Sequence, residues 1–185
     1  MLTRMRRNHT REAYLELVKH IRNKIPGVAL SSDFICGFCD ETEEEYQDTL
    51  SLLETVQYDM SFLFAYSMRE KTHAHRKMQD NVAEPVKKAR LIHLIDVFKK
   101  NQLIKQLQEI GNHHLVLIDG NGRLGETQLT GLTDTNKRAV LPARSDLQVG
   151  DLVNVKVVNA SQNTLFSEPL QKMGVQDFFK AHRLI

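Results

Sequence analysis

The spacing of apolar residues changes near residue 110, and this change divides the 185-residue chain into two regions of different fold. Before that point, helical spacing alternates with two extended apolar runs. After it, short extended runs follow one another and glycines separate them. A chain of this length has room for about one domain and a fraction of a second. We therefore expect an α/β region followed by a small all-β barrel.

The first region has the order helix, strand, helix, strand, helix. Thr10 and Thr42 are placed to cap the first two helices, and Pro85 suits the first turn of the third. Residues 28–38 and 60–66 form the extended runs, and a helix between them predicts parallel strands. Two parallel strands alone cannot bury both apolar faces or pair both edges. The region is therefore part of a larger sheet, or another chain completes that sheet.

The second region is predicted to contain five short strands, as small barrels do. The clearest is the run from 152 to 158, where Val153, Val155 and Val157 alternate with polar residues. We expect domains at residues 1–105 and 106–172, followed by a tail at 173–185. The predicted strands are His114–Ile118, Gln128–Thr130, Arg138–Leu141, Leu152–Val158 and Thr164–Phe166.

Composition excludes several classes of protein. The formal net charge of +2 is too small to indicate nucleic-acid binding by itself. No apolar run approaches the roughly 18 residues that a transmembrane helix needs, so we expect no membrane span. Arginines crowd the first residues as in a mitochondrial transit peptide, but Glu12 and Glu16 oppose that interpretation because transit peptides avoid acids.

The chain contains only two cysteines, Cys36 and Cys39. Structural zinc sites and iron–sulfur clusters usually need three or four protein ligands, so this chain alone should build neither. The C-x-x-C spacing also occurs in dithiol redox sites. Cys36 lies inside a strand pattern, however, where a cysteine behaves as a small buried apolar residue.

Ligands gather at the carboxyl ends of parallel strands, which here are residues 37–40 and 66–69. Gly37 is either a close-approach position for a ligand or a turn glycine. The acidic residues from 40 to 48 suit a helix N-terminus better than a metal site. His73 with His75, and His113 with His114, lack an obvious third ligand.

Three motifs in the first region resemble those of the radical S-adenosylmethionine (SAM) methylthiotransferases that modify transfer RNA. Residues 5–14 (MRRNHTREAY) resemble M-x-R-x-[YH]-T-x-x-x-Y. Residues 31–45 (SSDFICGFCDETEEE) and 64–72 (FAYSMREKT) resemble D-[IF]-I-x-G-F-x-x-E-T and Y-S-x-R-x-x-T. Residues 131–142 and 150–165 are similar to the small RNA-binding barrel, called TRAM, that ends these enzymes.

The resemblance implies the carboxy-terminal portion of a partial (β/α)₆ barrel, followed by a TRAM barrel. Such enzymes use SAM and [4Fe–4S] clusters to convert N6-isopentenyladenosine near the anticodon of tRNA to its 2-methylthio derivative. The C-x-x-x-C-x-x-C cluster loop, the first four barrel strands and the amino-terminal part of the enzyme are missing from this chain, so we expect it to be inactive alone. The likeness is greatest to a mitochondrial branch that associates with a regulatory subunit of a cyclin-dependent kinase.

Site residues carried over from the resemblance fall into two groups. In the first, Ile35 and Gly37 should line the adenine side of the SAM pocket. Tyr66 and Ser67 should lie near the cofactor or the substrate base, and Arg7 either binds a carboxylate or phosphate or forms a surface ion pair. In the second, four basic residues of the barrel either contact RNA phosphates or serve solubility; they are Arg123, Lys137, Arg138 and Lys156.

Two other functions stay open at this point. One is a stand-alone RNA-binding or regulatory module built on the small barrel. The other is a dithiol oxidoreductase that uses Cys36 and Cys39. Asp40 and Leu132 depart from the family pattern, which usually has glycine at the first position and often arginine or another polar residue at the second.

Overall fold

A computed structural model describes residues 1–182 of the chain. The chain divides into two compact units, Met1–Gln102 and the residues from Leu103 onward. The first unit contains the α/β region, and the second contains the barrel. Helix α4 contributes residues to both. Among the described residues, no helix combines the length and apolar character needed to cross a bilayer.

Local sequence signals place the elements of the first unit. The Thr10 side chain accepts a hydrogen bond from the Ala13 N–H, and Thr42 and Glu45 form a reciprocal capping box. Both caps confirm the predicted helix starts. The elements are α1 (Arg11–Lys24), β1 (Ser31–Cys36), α2 (Glu43–Val56), β2 (Met60–Ala65), α3 (His73–Lys77) and α4 (Glu84–Gln108).

Strands β1 and β2 form a two-stranded parallel sheet, as the strand–helix–strand order predicted. One face packs on the core of the unit, where Cys36, Leu53 and Leu94 are fully buried. The opposite face carries Phe62 and Phe64, which are 53% and 51% exposed. Within residues 1–182, no layer packs on this face, so the two strands leave one apolar face uncovered.

The second unit is a closed five-stranded barrel with the order β3-β4-β5-β7-β6. Alternating residues such as Val116, Val153 and Val155 point inward and are fully buried. All neighbouring strands are antiparallel except β5 and β7, which are parallel and pair at only two positions. The strands are β3 (His113–Gly122), β4 (Gly125–Thr133), β5 (Arg138–Pro142), β6 (Leu152–Ala160) and β7 (Leu165–Lys172).

Two helices lie where none was predicted. Thr72 caps α3 inside a stretch that reads as polar loop. Helix α5 (Val175–Ala181) lies in the expected tail 173–185, and its Phe178 is fully buried, with its ring centroid 4.3 Å from that of His182. Residues 183–185 of that tail lie outside the described residues.

Candidate functional site

The two strand ends of the first unit lie side by side. The Tyr66 N–H donates to the Cys36 carbonyl at 2.8 Å, which extends the strand pairing by one step. The rings of Phe38 and Tyr66 then meet edge to face, with centroids 4.7 Å apart. The prediction that both strand ends reach the same edge of the sheet is confirmed.

Gly37 occupies a position that no other residue fits without strain. Its φ is +75°, and a Cβ added there would lie 2.4 Å from Cγ of Lys87. Lys87 is almost fully buried and reaches Asp80 at 2.7 Å and Glu84 at 2.8 Å. Its Nζ also lies 5.7 Å from the centre of the Tyr66 ring. The close approach at Gly37 is therefore made by the Lys87 stem.

A buried ion pair beneath this turn had no predicted role. Oε2 of Glu41 accepts from the Gly37 N–H at 2.6 Å and from Arg90 at 2.8 Å. Burial raises the pKa of Glu41, while the Gly37 N–H and Arg90 oppose that rise. Arg90 also reaches Glu43 at 3.0 Å. Glu41 follows the end of β1 within the motif at residues 31–45. The short spacing between this acid and the turn residue Gly37 was the sequence signal that could have predicted the contact.

A cavity of about 210 Å³ opens beside the strand ends. Of the five residues predicted to bind the cofactor, only Tyr66 lines it. Its other lining residues come from the first loop, from Phe38 and from the segment around α3. They are Arg4, Met5, Arg6, Phe38, Arg69, Thr72, His73 and Ala74.

The remaining predicted cofactor residues do not converge on this cavity. Ile35 is 37% exposed on the same sheet face as Phe64, its partner in register. Ser67 and Arg7 are exposed. No ion pair involves Arg7 in the part of the chain that the structure covers, so the surface ion pair, one of its two predicted roles, is not formed there. The assignment of these residues to SAM stays a prediction.

Cys36 and Cys39 are both free and fully buried. Burial raises the pKa of the Cys36 thiol to about 11, so it is a thiol at neutral pH. This environment is the reverse of a reactive dithiol site, which needs an exposed, low-pKa thiolate. Among residues 1–182, no group of three or more His, Cys, Asp or Glu side chains could hold a metal ion. The residues present therefore do not fit an iron–sulfur cluster.

The basic residues of the barrel differ in their availability. Lys137 is 7% exposed and ion-paired with Glu109, so its prediction as a phosphate contact is corrected: its charge is neutralised inside the unit. Arg138 is exposed and pairs with Asp119 at 2.6 Å. Arg123 and Lys156 are exposed, and neither forms an ion pair with another described residue. These two have the freest charge of the four.

The buried partner of Lys137 belongs to a network centred on His114. The His114 ring lies between Glu109 at 3.0 Å and Asp134 at 2.8 Å. Burial opposes its protonation, but the hydrogen bonds to Asp134 and Glu109 outweigh burial and raise the pKa of His114 to about 9. The ring is therefore charged at neutral pH. It is a structural cation, and neither a metal ligand nor a solvated side chain.

Comparison with known proteins shows two kinds of similarity, one to a domain family and one to longer proteins. Residues 108–170 match the TRAM domain. The CDK5RAP1-like protein of Oryza sativa subsp. japonica is 45% identical over 194 residues, which cover 98% of this chain and 32% of that protein. The mitochondrial tRNA methylthiotransferase CDK5RAP1 of Homo sapiens is 45% identical over 188 residues, or 96% of this chain and 31% of the human protein. Over more than nine tenths of its length the chain is similar to proteins named as tRNA methylthiotransferases.

The similarity extends to bacterial enzymes. The tRNA-2-methylthio-N(6)-dimethylallyladenosine synthase of Chloroherpeton thalassium is 42% identical over 170 residues, which cover 92% of this chain and 38% of that enzyme. The chain thus spans about a third of the length of the curated relatives it matches. Both units of the chain are included in these matches, and the TRAM match covers most of the barrel.

Proposed function

We propose that this chain is the carboxy-terminal part of a tRNA methylthiotransferase that converts N6-isopentenyladenosine near the anticodon to its 2-methylthio derivative. The continuous match to tRNA methylthiotransferases across 96–98% of the chain carries this proposal. A TRAM domain alone would support only an RNA-binding role. The agreement across the parallel-strand unit as well favours the enzyme.

In the proposed enzyme, SAM and [4Fe–4S] clusters supply the radical chemistry, and residues outside this chain hold the clusters. This chain provides the edge of the sheet at Gly37 and Tyr66, where we assign one side of the SAM pocket. Glu41 and Arg90 fix the Gly37 turn from below. Preorganised positioning of this kind is what a protein contributes to cofactor chemistry.

The barrel is the proposed tRNA-binding part, with a domain boundary near residue 105 and the barrel domain over 106–172. Arg123 and Lys156 are the strongest phosphate-contact candidates, since both are exposed and neither is ion-paired within the described residues. Arg138 can exchange Asp119 for a phosphate at small cost, because exposed ion pairs contribute only about 0–1 kcal/mol.

Location and one partner rest on the relatives. Similarity to proteins named as mitochondrial enzymes supports a mitochondrial location. Association with a regulatory subunit of a cyclin-dependent kinase stays a prediction from the resemblance. Fractionation of tagged protein tests the first, and co-purification with that subunit tests the second.

Mass spectrometry of tRNA nucleosides tests the enzyme proposal. A bacterial strain without its own methylthiotransferase receives either this chain or the longest reading frame that contains it. We expect the 2-methylthio nucleoside with the longer frame and only N6-isopentenyladenosine with the 185-residue chain. Absence of the product from well-expressed longer protein would contradict the enzyme. Formation of the product by the 185-residue chain would contradict the proposal that residues outside this chain hold the clusters.

A stand-alone RNA-binding module is the second candidate, because the barrel is closed and has its own core. This alternative predicts tRNA binding by the isolated chain and no modification by the longer frame. The two measurements together therefore separate an enzyme part from an independent module.

A further inference from the structure

The cavity beside the strand ends is lined by several basic side chains. Three arginines, Arg4, Arg6 and Arg69, line it together with His73, and no lining residue is an acid. Guanidinium groups bind carboxylate and phosphate oxygens through paired N–H donors. The charge of the lining is therefore compatible with an oxyanion.

The arginines are not equally engaged. Arg4 is held by Glu45 and donates to the Asp40 carbonyl at 3.2 Å, so it is fixed and partly neutralised. The side chains of Arg6 and Arg69 make no hydrogen bond or ion pair to any of residues 1–182. Two of the three positive charges are thus left for a ligand.

Other features of the cavity favour binding of an anion. Phe38, Tyr66 and the buried Ala74 contribute apolar lining, and low polarity near a charge strengthens its attraction for an anion. Arg6 has a φ of +57°, a conformation that costs a non-glycine residue energy. Such strained backbone clusters at ligand sites.

Size separates the possible oxyanions. Pockets for complete small molecules begin at about 300 Å³, whereas this cavity has about 210 Å³. A volume of this size has room for a phosphate group and part of a sugar. An RNA strand that leaves its base elsewhere needs a compartment of this kind for its backbone.

We infer that this cavity binds one phosphodiester group of the tRNA substrate, with Arg6 and Arg69 as its free ligands and Arg4 as a fixed third cation. The inference rests on the proposed function, which supplies the RNA. It gives the first unit a direct RNA contact of its own, separate from the barrel, and the site shares only Tyr66 with the residues assigned to SAM.

Binding of a labelled anticodon stem-loop RNA to the full 185-residue chain tests this site. The variants are Arg69→Gln and Arg6→Gln, and the matched control is Arg76→Gln, an exposed arginine on α3 that does not line the cavity. We expect each cavity variant to weaken binding about tenfold. The slope of log affinity against log salt should fall by about 1 for each cavity variant and stay unchanged in the control.

A neutral methylphosphonate linkage moved along the RNA identifies the contacted phosphate. In the wild-type chain one loop position should weaken binding, and Arg69→Gln should make that position insensitive. Thermal melting of each variant verifies its fold. For each protein the measured quantity is the ratio of its affinities for the modified and the unmodified RNA, so the comparison does not require the two proteins to be equally stable.

The outcomes distinguish the two proposals. If the wild-type chain binds no RNA, its proposed tRNA contact fails and this site falls with it. If the wild type binds RNA but Arg69→Gln behaves like Arg76→Gln, only the phosphate site is overturned. If Arg69→Gln weakens SAM binding and leaves RNA binding intact, the cavity holds the carboxylate of the cofactor and the inference is overturned.

Discussion

Raising the pH should selectively destabilise the barrel, because His114 is held protonated inside it. The pKa of His114 rises from 6.5 to about 9 in the fold. The protonated form is favoured by folding, so the stabilisation is complete below pH 6.5 and is lost as the pH rises through 9. The difference corresponds to about 3 kcal/mol for a side chain this well buried. That is a large share of the stability of an ordinary domain, about 5–15 kcal/mol.

At acid pH, Glu109 gives the stability of the barrel a pH dependence in the opposite direction. Hydrogen bonds from His114 and Lys137 outweigh burial and lower the pKa of Glu109 well below its ordinary value of 4.5. Its contribution is present above pH 4.5 and is lost as the pH falls below that value. The network therefore stabilises the barrel most between about pH 4.5 and 6.5.

Urea unfolding of the whole chain at pH 6.0 and 9.5 measures the effect, with methyl NMR signals of Val116, Val153 and Val155 reporting on the barrel core. Wild type should lose about 3 kcal/mol of unfolding free energy between these pH values. His114→Gln should start lower and show no such loss, and His75→Gln, an exposed histidine on α3, should behave like wild type. A wild-type barrel equally stable at both pH values, or a pH-dependent loss that persists in His114→Gln, would refute the reasoning.

Three further predictions concern the first unit. Gly37→Ala should reduce its unfolding free energy by about 1–3 kcal/mol in urea, because φ is positive and the new Cβ meets the Lys87 stem; Gly27→Ala, with positive φ but open space, should cost less, and equal losses would contradict the steric role of Lys87. The Cys36 thiol should react with a thiol reagent only after unfolding, since burial raises its pKa to about 11; rapid modification of the native chain would disprove that environment. The wild-type chain should self-associate, because Phe62 and Phe64 are half exposed on the open sheet face. Replacing both by serine should reduce the particle size in light scattering, and an unchanged size would contradict this role of the face.

Local signals predicted much of the fold. The caps at Thr10 and Thr42 depend on neighbours three residues away, so the sequence alone determines them. The parallel pairing of β1 and β2 followed from the intervening helix. The alternation in β6 located a barrel strand before any contact was known.

The site was less predictable because its contacts are distant in sequence. Glu41 and Arg90 are 49 positions apart, and the local sequence around one residue does not indicate that the other is its partner. Lys137 lies in a turn-like stretch that indicates exposure, yet Glu109, 28 positions earlier, holds it inside. Burial of a charged side chain depends on the partner that compensates it. Helix α3 was missed because five residues are too few to show a period.

Closure of the barrel depends on its shortest junction. Strands β5 and β7 pair only through Ala139 with Leu165 and Val140 with Phe166, whereas β6 and β7 pair along seven positions. Local opening starts where few backbone hydrogen bonds must break together. In hydrogen–deuterium exchange, the amide protons at the β5–β7 pairing should therefore exchange first, and those of β6 should stay protected longest. The resistance of the barrel to opening is therefore set by the β5–β7 pairing, and the other strand pairs would stay together when this one separates.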